Sequence, residues 1–191
     1  EATERSLWAA GVTHWDDFEP RVVGGKRGDR IASFIDEGRD RLATADVGFF
    51  NGAFPSGERW RLYQTFPDQT CFFDIETTGL DQHRNQVTTV SLHQDGDTRT
   101  LVAGDDLTAA NLRAAFADAD LLVTFNGKRF DVPFLEASFD VDVERPHLDL
   151  MYTCKQLGLS GGLKQVETDI GIERDRPDIS GRDAVRLWRE H

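Results

Sequence analysis

The sequence predicts an α/β protein in which a mixed five-stranded sheet is flanked by helices and preceded by a small helical N-terminal appendage. Three observations predict this class. Short apolar segments alternate with helical patterns through the second half of the chain. An Asp95-Gly96 pair between two alternating segments is typical of a β-hairpin turn. Apolar residues recur at helical spacing near the N-terminus.

Residues 1–45 are predicted to form the helical appendage. Apolar side chains follow one another at helical spacing over residues 4–19, with a break at Gly11 and an end at Pro20. Residues 23–43 open on glycines and then place apolar residues on one face of a second helix. Residues 46–69 are predicted to be a linker, mostly loop, that leads into a short strand at residues 61–66.

Residues 70–191 are predicted to form the sheet domain. Its elements occur in the order β-β-β-α-β-α-β-α-α, which is typical of a mixed sheet rather than a pure βαβ repeat. The first three strands are predicted to be antiparallel. The predicted strands lie at residues 70–76, in the two arms of the hairpin at 86–104, at 120–127 and near 145–149. The predicted helices lie at residues 107–119, 131–139, 161–172 and 178–191, and a further helix follows the strand near 145–149 and ends at residue 158.

The composition is strongly acidic, with a net charge of −12 and a pI of about 4.8. Asp outnumbers Glu by 23 to 11, and Arg outnumbers Lys by 18 to 4. Such a surface is typical of halophilic proteins, and an ordinary acidic cytosolic protein is the alternative. Negative charge opposes a nucleic-acid partner, but molar salt screens that repulsion to within about 3 Å, so such a partner stays compatible with the composition.

Two cysteines, Cys71 and Cys154, show no metal-binding or redox spacing and are expected to be buried thiols. The sequence has no run of about 18 apolar residues and no signal-peptide pattern. These features predict a cytoplasmic protein without a membrane partner.

Two carboxylates, Asp74 and Glu76, end the apolar segment at residues 70–76. Residues two apart on a strand point to the same face, and two such close charges repel unless a cation compensates them. Oxygen ligands suit Mg²⁺ or Mn²⁺. The alternative is a solvated strand end that carries no site.

A second polar segment follows the predicted strand at residues 120–127. That strand ends at Asn126-Gly127, and Asp131 opens the next predicted helix. An Asp at a helix start often serves only as an N-cap, which is the alternative to a role in a site.

Together these segments resemble a known family. Residues 74–79, Asp-Ile-Glu-Thr-Thr-Gly, resemble the Exo I motif of DEDD exonucleases, the DnaQ-like branch of the ribonuclease H-like superfamily. Residues 126–133, Asn-Gly-x-x-Phe-Asp-x-Pro, resemble the Exo II motif. Residues 49–66 and 145–191 are similar to the predicted exonucleases of the YprB type, so the resemblance covers nearly the whole chain.

The resemblance implies a ribonuclease H-like fold and a 3′–5′ exonuclease that hydrolyses nucleic-acid phosphodiesters with two divalent cations, Mg²⁺ or Mn²⁺. It implies that Asp74, Glu76 and Asp131 are the catalytic residues and the metal ligands. It also implies a nucleic-acid partner, with a single-stranded 3′ end expected. Substrate contacts are expected at four positions, each with a structural alternative in turn capping or packing: Thr77, Thr78, Leu80 and Asn126.

One feature of the family is missing from its expected place. The family has a fourth carboxylate, an Asp on a late helix with a Tyr or His a few residues before it. Asp183 lies on such a segment but lacks the preceding Tyr or His. We expect the fourth acid beyond residue 191, so that the domain at 70–191 stops before the fourth motif and residues 1–191 alone are weakly active or inactive.

Two other function classes are consistent with the sequence. One is a catalytically degenerate ribonuclease H-like module that binds nucleic acid or a partner protein. The other is a structural subunit, which leaves the three acids unexplained. The sequence does not choose between DNA and RNA, between single and double strands, or between oligomeric states.

Overall fold

The structure is a computed structural model that describes residues 2–173. The chain divides into two compact units, Glu1–Phe49 and Phe50–His191, which are described separately. The predicted last helix at residues 178–191 and Asp183 lie outside the described residues. The predicted domain boundaries, after residues 45 and 69, stay predictions. None of the helices described is long and apolar enough to cross a membrane.

The N-terminal unit is helical, as the sequence predicts. It contains α1 (Ala2–Ala9), a 3-10 turn (Trp15–Asp17), α2 (Pro20–Val23) and α3 (Gly25–Ala43). The predicted end of a helix at Pro20 is wrong, because Pro20 is the first residue of α2. Proline suits that position, since the first N–H of a helix has no partner within the helix. Ile35 on α3 is buried.

The segment before the sheet is helical, so the predicted loop and the predicted strand at residues 61–66 are both wrong. It forms α4 (Val47–Ala53), a 3-10 turn (Ser56–Glu58) and α5 (Arg61–Thr65). Leu62 and Phe66 are both buried. Residues four apart share one face in a helix and in a strand alike, so this spacing does not distinguish the two.

The sheet has five strands in the order β3-β2-β1-β4-β5. Strands β1, β2 and β3 are antiparallel neighbours, whereas β4 runs parallel to both β1 and β5. This arrangement confirms the predicted mixed five-stranded sheet and its antiparallel first three strands. The strands are β1 (Thr70–Thr77), β2 (Val87–Gln94), β3 (Asp97–Val102), β4 (Leu121–Thr124) and β5 (His147–Asp149).

The hairpin between β2 and β3 forms at the predicted turn. Asp95 and Gly96 both have positive φ, 50° and 80°, as a type I′ turn requires. The helices that follow are α6 (Ala109–Phe116), α7 (Asp131–Phe139), α8 (Leu150–Gln156) and α9 (Leu163–Asp169). The hydroxyl of Thr108 caps α6 by accepting the N–H of Asn111, which confirms the predicted helix start.

The main core joins one face of the sheet to α6 and α7. Alternate residues of β1 are buried in it, so the residues between them point to the other face. Cys71 is fully buried, as expected, but Cys154 is only half-buried. Burial raises the pKa of the Cys71 thiol to about 11. The core includes Cys71, Phe73, Ile75, Val90, Leu92, Leu112, Phe116, Phe134 and Leu135.

Candidate functional site

Asp74 and Glu76 lie on the face of β1 opposite the main core. Their neighbours Phe73 and Ile75 are buried, whereas Asp74 is exposed and Glu76 half-buried. The alternation of a strand therefore places two carboxylates next to each other on one surface, near the carboxyl end of β1. In open α/β sheets, the carboxyl ends of parallel strands are the usual place for a binding crevice.

Asp131 reaches this end of β1 because β4 is short. The parallel pairing of β1 with β4 covers only Thr70–Phe72, while β1 continues to Thr77. Asp131 is the first residue of α7, and its Oδ1 accepts the backbone N–H of Ile75 at 3.1 Å. The side chain is buried and does not cap its own helix. The third acid therefore lies against the backbone between Asp74 and Glu76.

The three acids are electrostatically coupled. Burial, and then the negative charge of Asp74, raise the pKa of Asp131 to about 7. Asp74 keeps an exposed surface, but the protein around its carboxylate displaces enough water to raise its pKa. Desolvation, and then the charge of Asp74, raise the pKa of Glu76. The N–H of Ile75 lowers the pKa of both Asp74 and Asp131, but by less than burial raises it. These carboxylates consequently share one environment that disfavours their ionised forms.

The loop between β4 and α7, which leads to Asp131, is held by the carboxylate of Asp149. Asp149, at the end of β5, is buried and accepts three backbone N–H groups: those of Asn126 at 2.7 Å, Lys128 at 3.2 Å and Met151 at 3.1 Å. These contacts make Asp149 part of the framework that holds the loop. Asn126 has a positive φ of 66°, so the loop turns sharply just after β4.

Gly127 allows this loop to pass close to β4. A Cβ atom at Gly127 would lie only 2.4 Å from the Thr124 hydroxyl oxygen and 2.5 Å from the Thr124 Cβ. The Asn-Gly pair of the sequence thus has a structural reason that is independent of any substrate. The loop in turn fixes where α7 begins and where Asp131 lies.

The four predicted substrate contacts have different surroundings. The hydroxyl of Thr77 donates to the carbonyl of Gly79 at 2.6 Å, and that of Thr78 accepts the N–H of Gln86 at 3.0 Å. Both threonines thus hold the turn after β1, as the turn-capping alternative expects. Leu80 is 86% exposed, and Asn126 is half-buried in the loop after β4. A role for the four in binding substrate stays a prediction.

A pocket of about 190 Å³ lies beside this loop, and sequence reasoning missed its two cationic residues. Arg59 follows the 3-10 turn before α5, and Lys128 lies in the loop after β4. No motif joins these two positions, and only the tertiary fold brings them together. His147 also lines the pocket, and its Nε2 lies 2.8 Å from the Thr124 hydroxyl.

The donor set suits a hard divalent cation. Carboxylate oxygens are the ligands that Mg²⁺ and Mn²⁺ prefer, and a cation offsets both the repulsion and the desolvation of these acids. Within residues 2–173, however, no three His, Cys, Asp or Glu side chains are arranged as a metal-binding group. The acids therefore fit the metal by chemistry, and their role as metal ligands stays a prediction.

The sequence also matches a family model, that of the RNase_H superfamily, over residues 71–191. The chain belongs to the RNase_H superfamily. The match begins in β1 and includes every strand, the three acids and the loop after β4. It agrees with the five-stranded mixed sheet described above. No curated protein matches the sequence.

Solved structures are similar to this chain at low sequence identity. The family B DNA polymerase from the hyperthermophilic archaeon Pyrobaculum calidifontis is 20% identical, with a TM-score of 0.52 over 63% of this chain and 21% of the polymerase. Brucella melitensis NrnC bound to pGG is 19% identical, with a TM-score of 0.48 over 63% of this chain and 61% of NrnC. The chain thus spans about a fifth of the polymerase and three fifths of NrnC.

Proposed function

We propose that this protein is a metal-dependent 3′–5′ exonuclease of the DEDD, DnaQ-like type, related to the YprB-type exonucleases, that hydrolyses nucleic-acid phosphodiesters. The observation that carries the proposal is the hydrogen bond from the Ile75 N–H to Asp131. It joins the two segments that resemble Exo I and Exo II, 56 residues apart in sequence. Membership of the RNase_H superfamily supports a nuclease in general.

Asp74, Glu76 and Asp131 act in this proposal as the ligands of two Mg²⁺ or Mn²⁺ ions. When bound, the cations supply a nucleophilic water and stabilise the leaving 3′ oxygen. The protein holds Asp131 in place through the Ile75 N–H and keeps its proton affinity high through burial. A divalent cation that replaces that proton stabilises the charged carboxylates.

The turn after β1 is the proposed contact for the terminal nucleotide. Thr77 and Thr78 follow the acids directly, Leu80 exposes an apolar side chain that can pack on a base, and Asn126 lies in the loop after β4. A single-stranded 3′ end is the proposed substrate, because it can reach the acids at the carboxyl end of β1 without a duplex having to be separated first.

The test is Mg²⁺- or Mn²⁺-dependent shortening of 5′-labelled single strands of DNA and RNA, with protein in excess so that weak activity is detected. We expect stepwise shortening from the 3′ end. Asp74→Asn and Asp131→Asn should each slow it by about 10²–10³-fold, as losing one stabiliser of developing charge does. The matched control is Asp97→Asn, an exposed acid at the start of β3, which should leave the rate unchanged.

Asp183→Asn belongs to the same experiment. If Asp183 supplies the fourth carboxylate, its loss lowers the rate as Asp74→Asn does; an unchanged rate assigns that role elsewhere. Shortening that starts at the 5′ end, or that continues equally in Asp74→Asn, would contradict the proposal.

The second candidate is a nucleic-acid-binding module with a degenerate site. It is favoured by one observation, namely that residues 2–173 contain no three acids already arranged as a metal-binding group. This candidate predicts strand binding without any shortening, and binding that Asp74→Asn leaves unchanged.

A further inference from the structure

The pocket beside the loop after β4 is built from three separate segments of the Phe50–His191 unit. They are the 3-10 turn before α5, the loop that contains Lys128, and the region where β5 ends and α8 begins. Its volume of about 190 Å³ is room for roughly six water molecules. Tyr152, which is 43% exposed, also lines the pocket.

Arg59 and Lys128 give this pocket two positive charges. They lie close enough that Arg59 lowers the pKa of Lys128, although burial is the larger cause. Neither residue forms an ion pair within the part of the chain that the structure describes, residues 2–173. By contrast, five other arginines there do: Arg21, Arg39, Arg41, Arg61 and Arg84.

The Nε of Arg59 is buried and has no hydrogen-bond partner within residues 2–173, where it is the one buried side-chain nitrogen or oxygen in that condition. Buried donors are nearly always paired, so an unpaired guanidinium N–H that lines a polar pocket indicates a partner from outside the described residues.

Among the described residues that line the pocket, two are cationic and one is a carboxylate. That carboxylate, Asp149, attracts Lys128 and accepts three backbone N–H groups, so the pocket keeps a net positive charge. His147 stays neutral near pH 7, since burial and then Lys128 lower its pKa to about 4. In a chain of net charge −12, the pocket is therefore a local site where an anion is attracted.

We propose that this pocket binds a phosphate group of the nucleic-acid substrate, with Arg59 and Lys128 as its two cationic donors. A guanidinium forms directional charge-assisted hydrogen bonds to phosphate oxygens, and an ammonium adds a point charge. Lys128 lies three residues before Asp131. A phosphate bound in this pocket therefore belongs to a nucleic-acid strand that passes the three acids. The assignment to a strand rests on the proposed function.

The test measures binding of three probes to the full chain by calorimetry, in EDTA and low salt: thymidine 5′-monophosphate, thymidine and inorganic phosphate. We expect thymidine 5′-monophosphate to bind more tightly than the other two. Arg59→Gln and Lys128→Gln should each weaken its binding roughly tenfold, as the loss of one charge-assisted hydrogen bond does. Arg59→Lys, which keeps the charge, should lose less.

The matched control is Arg129→Gln, which removes the same charge from an exposed residue next to Lys128 that does not line the pocket. It should bind as the parent chain does, and circular dichroism verifies that each variant is folded. Equal binding by the parent, Arg59→Gln and Lys128→Gln overturns the proposal. If inorganic phosphate binds as tightly as the nucleotide, the pocket still binds phosphate, but the claim that this phosphate belongs to a nucleic-acid strand is overturned.

Asp74→Asn separates this proposal from the proposed function. In EDTA it should bind thymidine 5′-monophosphate normally, because the acids lie outside the pocket. Phosphate binding that depends on Arg59, in a protein that continues past residue 191 and still shortens no nucleic-acid strand, would contradict the exonuclease and retain the phosphate pocket. Shortening of nucleic-acid strands without such binding would support the exonuclease and contradict the phosphate pocket.

Discussion

Asp131, the first residue of α7, is held by the backbone of β1. Its Oδ1 accepts the Ile75 N–H, which β4 leaves available because the pairing of β4 with β1 stops at Phe72. The bond compensates only part of the cost of burying a carboxylate beside Asp74, so the pKa of Asp131 stays near 7. Acids kept in such an unfavourable environment are concentrated at functional sites.

Asp149 is a structural acid with a measurable contribution to stability. Asp149→Asn removes the charge and turns an amide NH₂ toward backbone N–H groups that need an acceptor. Because the Asp149 carboxylate accepts three backbone N–H groups and is buried, we expect a loss of about 2–4 kcal/mol in the free energy of unfolding, measured by urea denaturation.

The control for that variant is Asp142→Asn, an exposed acid whose Oδ1 accepts a single N–H, from Glu144. It should change stability by no more than about 0.5 kcal/mol. A loss in Asp149→Asn as small as in the control would show that the three hydrogen bonds do not hold the loop.

His147 makes stability depend on pH. Burial and the charge of Lys128 lower its folded-state pKa from 6.5 to about 4. Between these values the unfolded chain binds more protons than the folded one, so stability falls as the pH falls from 6.5 toward 4. We expect His147→Gln to remove this loss, about 1–2 kcal/mol at pH 5, in urea unfolding measured from pH 7.5 to 5.

His93→Gln is the matched control, because His93 is an exposed histidine that also contacts a threonine, Thr98, at 2.8 Å. The raised pKa of Asp131 acts in the opposite direction, but it is present in all three proteins and cancels in the comparison. Parallel pH profiles for the parent and His147→Gln would contradict the assignment to His147.

At the scale of elements, the correct predictions were those in which a short segment carries its own turn, cap or apolar pattern. The Asp95-Gly96 turn, the Thr108 cap and the apolar run at 70–76 each appear where the sequence predicts them. The helices at 47–65 were missed because they are short, at seven and five residues, so neither spans enough turns to show a helical period. Their buried positions become evident only from tertiary packing.

The loop after β4 depends on Gly127 for its close approach to Thr124. Gly127→Ala would place a Cβ 2.4 Å from the Thr124 hydroxyl oxygen, within a buried contact. We expect the loop to shift and the free energy of unfolding to fall by about 1–3 kcal/mol, with a parallel loss of strand shortening because Asp131 moves. Thermal unfolding and the shortening assay measure the two effects.

Gly52→Ala is the control for Gly127→Ala. Gly52 lies in α4, and a Cβ there would have no atom within 4 Å, so alanine should leave stability unchanged or raise it slightly. If Gly127→Ala behaves as Gly52→Ala does, the close approach to Thr124 does not constrain the loop.

At the scale of the whole molecule, the net charge of −12 opposes the compact state through repulsion. Raising KCl from 0.1 to 1 M shortens the screening length from about 10 to about 3 Å. We therefore expect the Tm at pH 7.5 to rise by at least about 2 °C. The same titration near pH 4.8, close to the pI, should show a much smaller rise. A Tm at pH 7.5 that is constant or falls with KCl would contradict the halophilic interpretation.

The candidate site divides into a part that sequence predicts and a part that it does not. Asp74, Glu76 and Asp131 were found because they stand in motifs whose spacing has a chemical reason. Arg59 and Lys128 were not found, since they are 69 residues apart and meet only through the packing of α5 and the loop after β4. Contacts that depend on such packing leave no local pattern in a single sequence.

The most direct test of the central claim is a crystal soaked in Mn²⁺, with the anomalous signal used to locate the metal. If Asp74, Glu76 and Asp131 form one metal site, an anomalous peak lies between their carboxylates and Asp131→Asn weakens or removes it. The same peak should persist in Asp97→Asn. A peak elsewhere in the chain, or no peak in well-diffracting crystals at millimolar Mn²⁺, would contradict the claim that the two motifs build a metal-dependent active site.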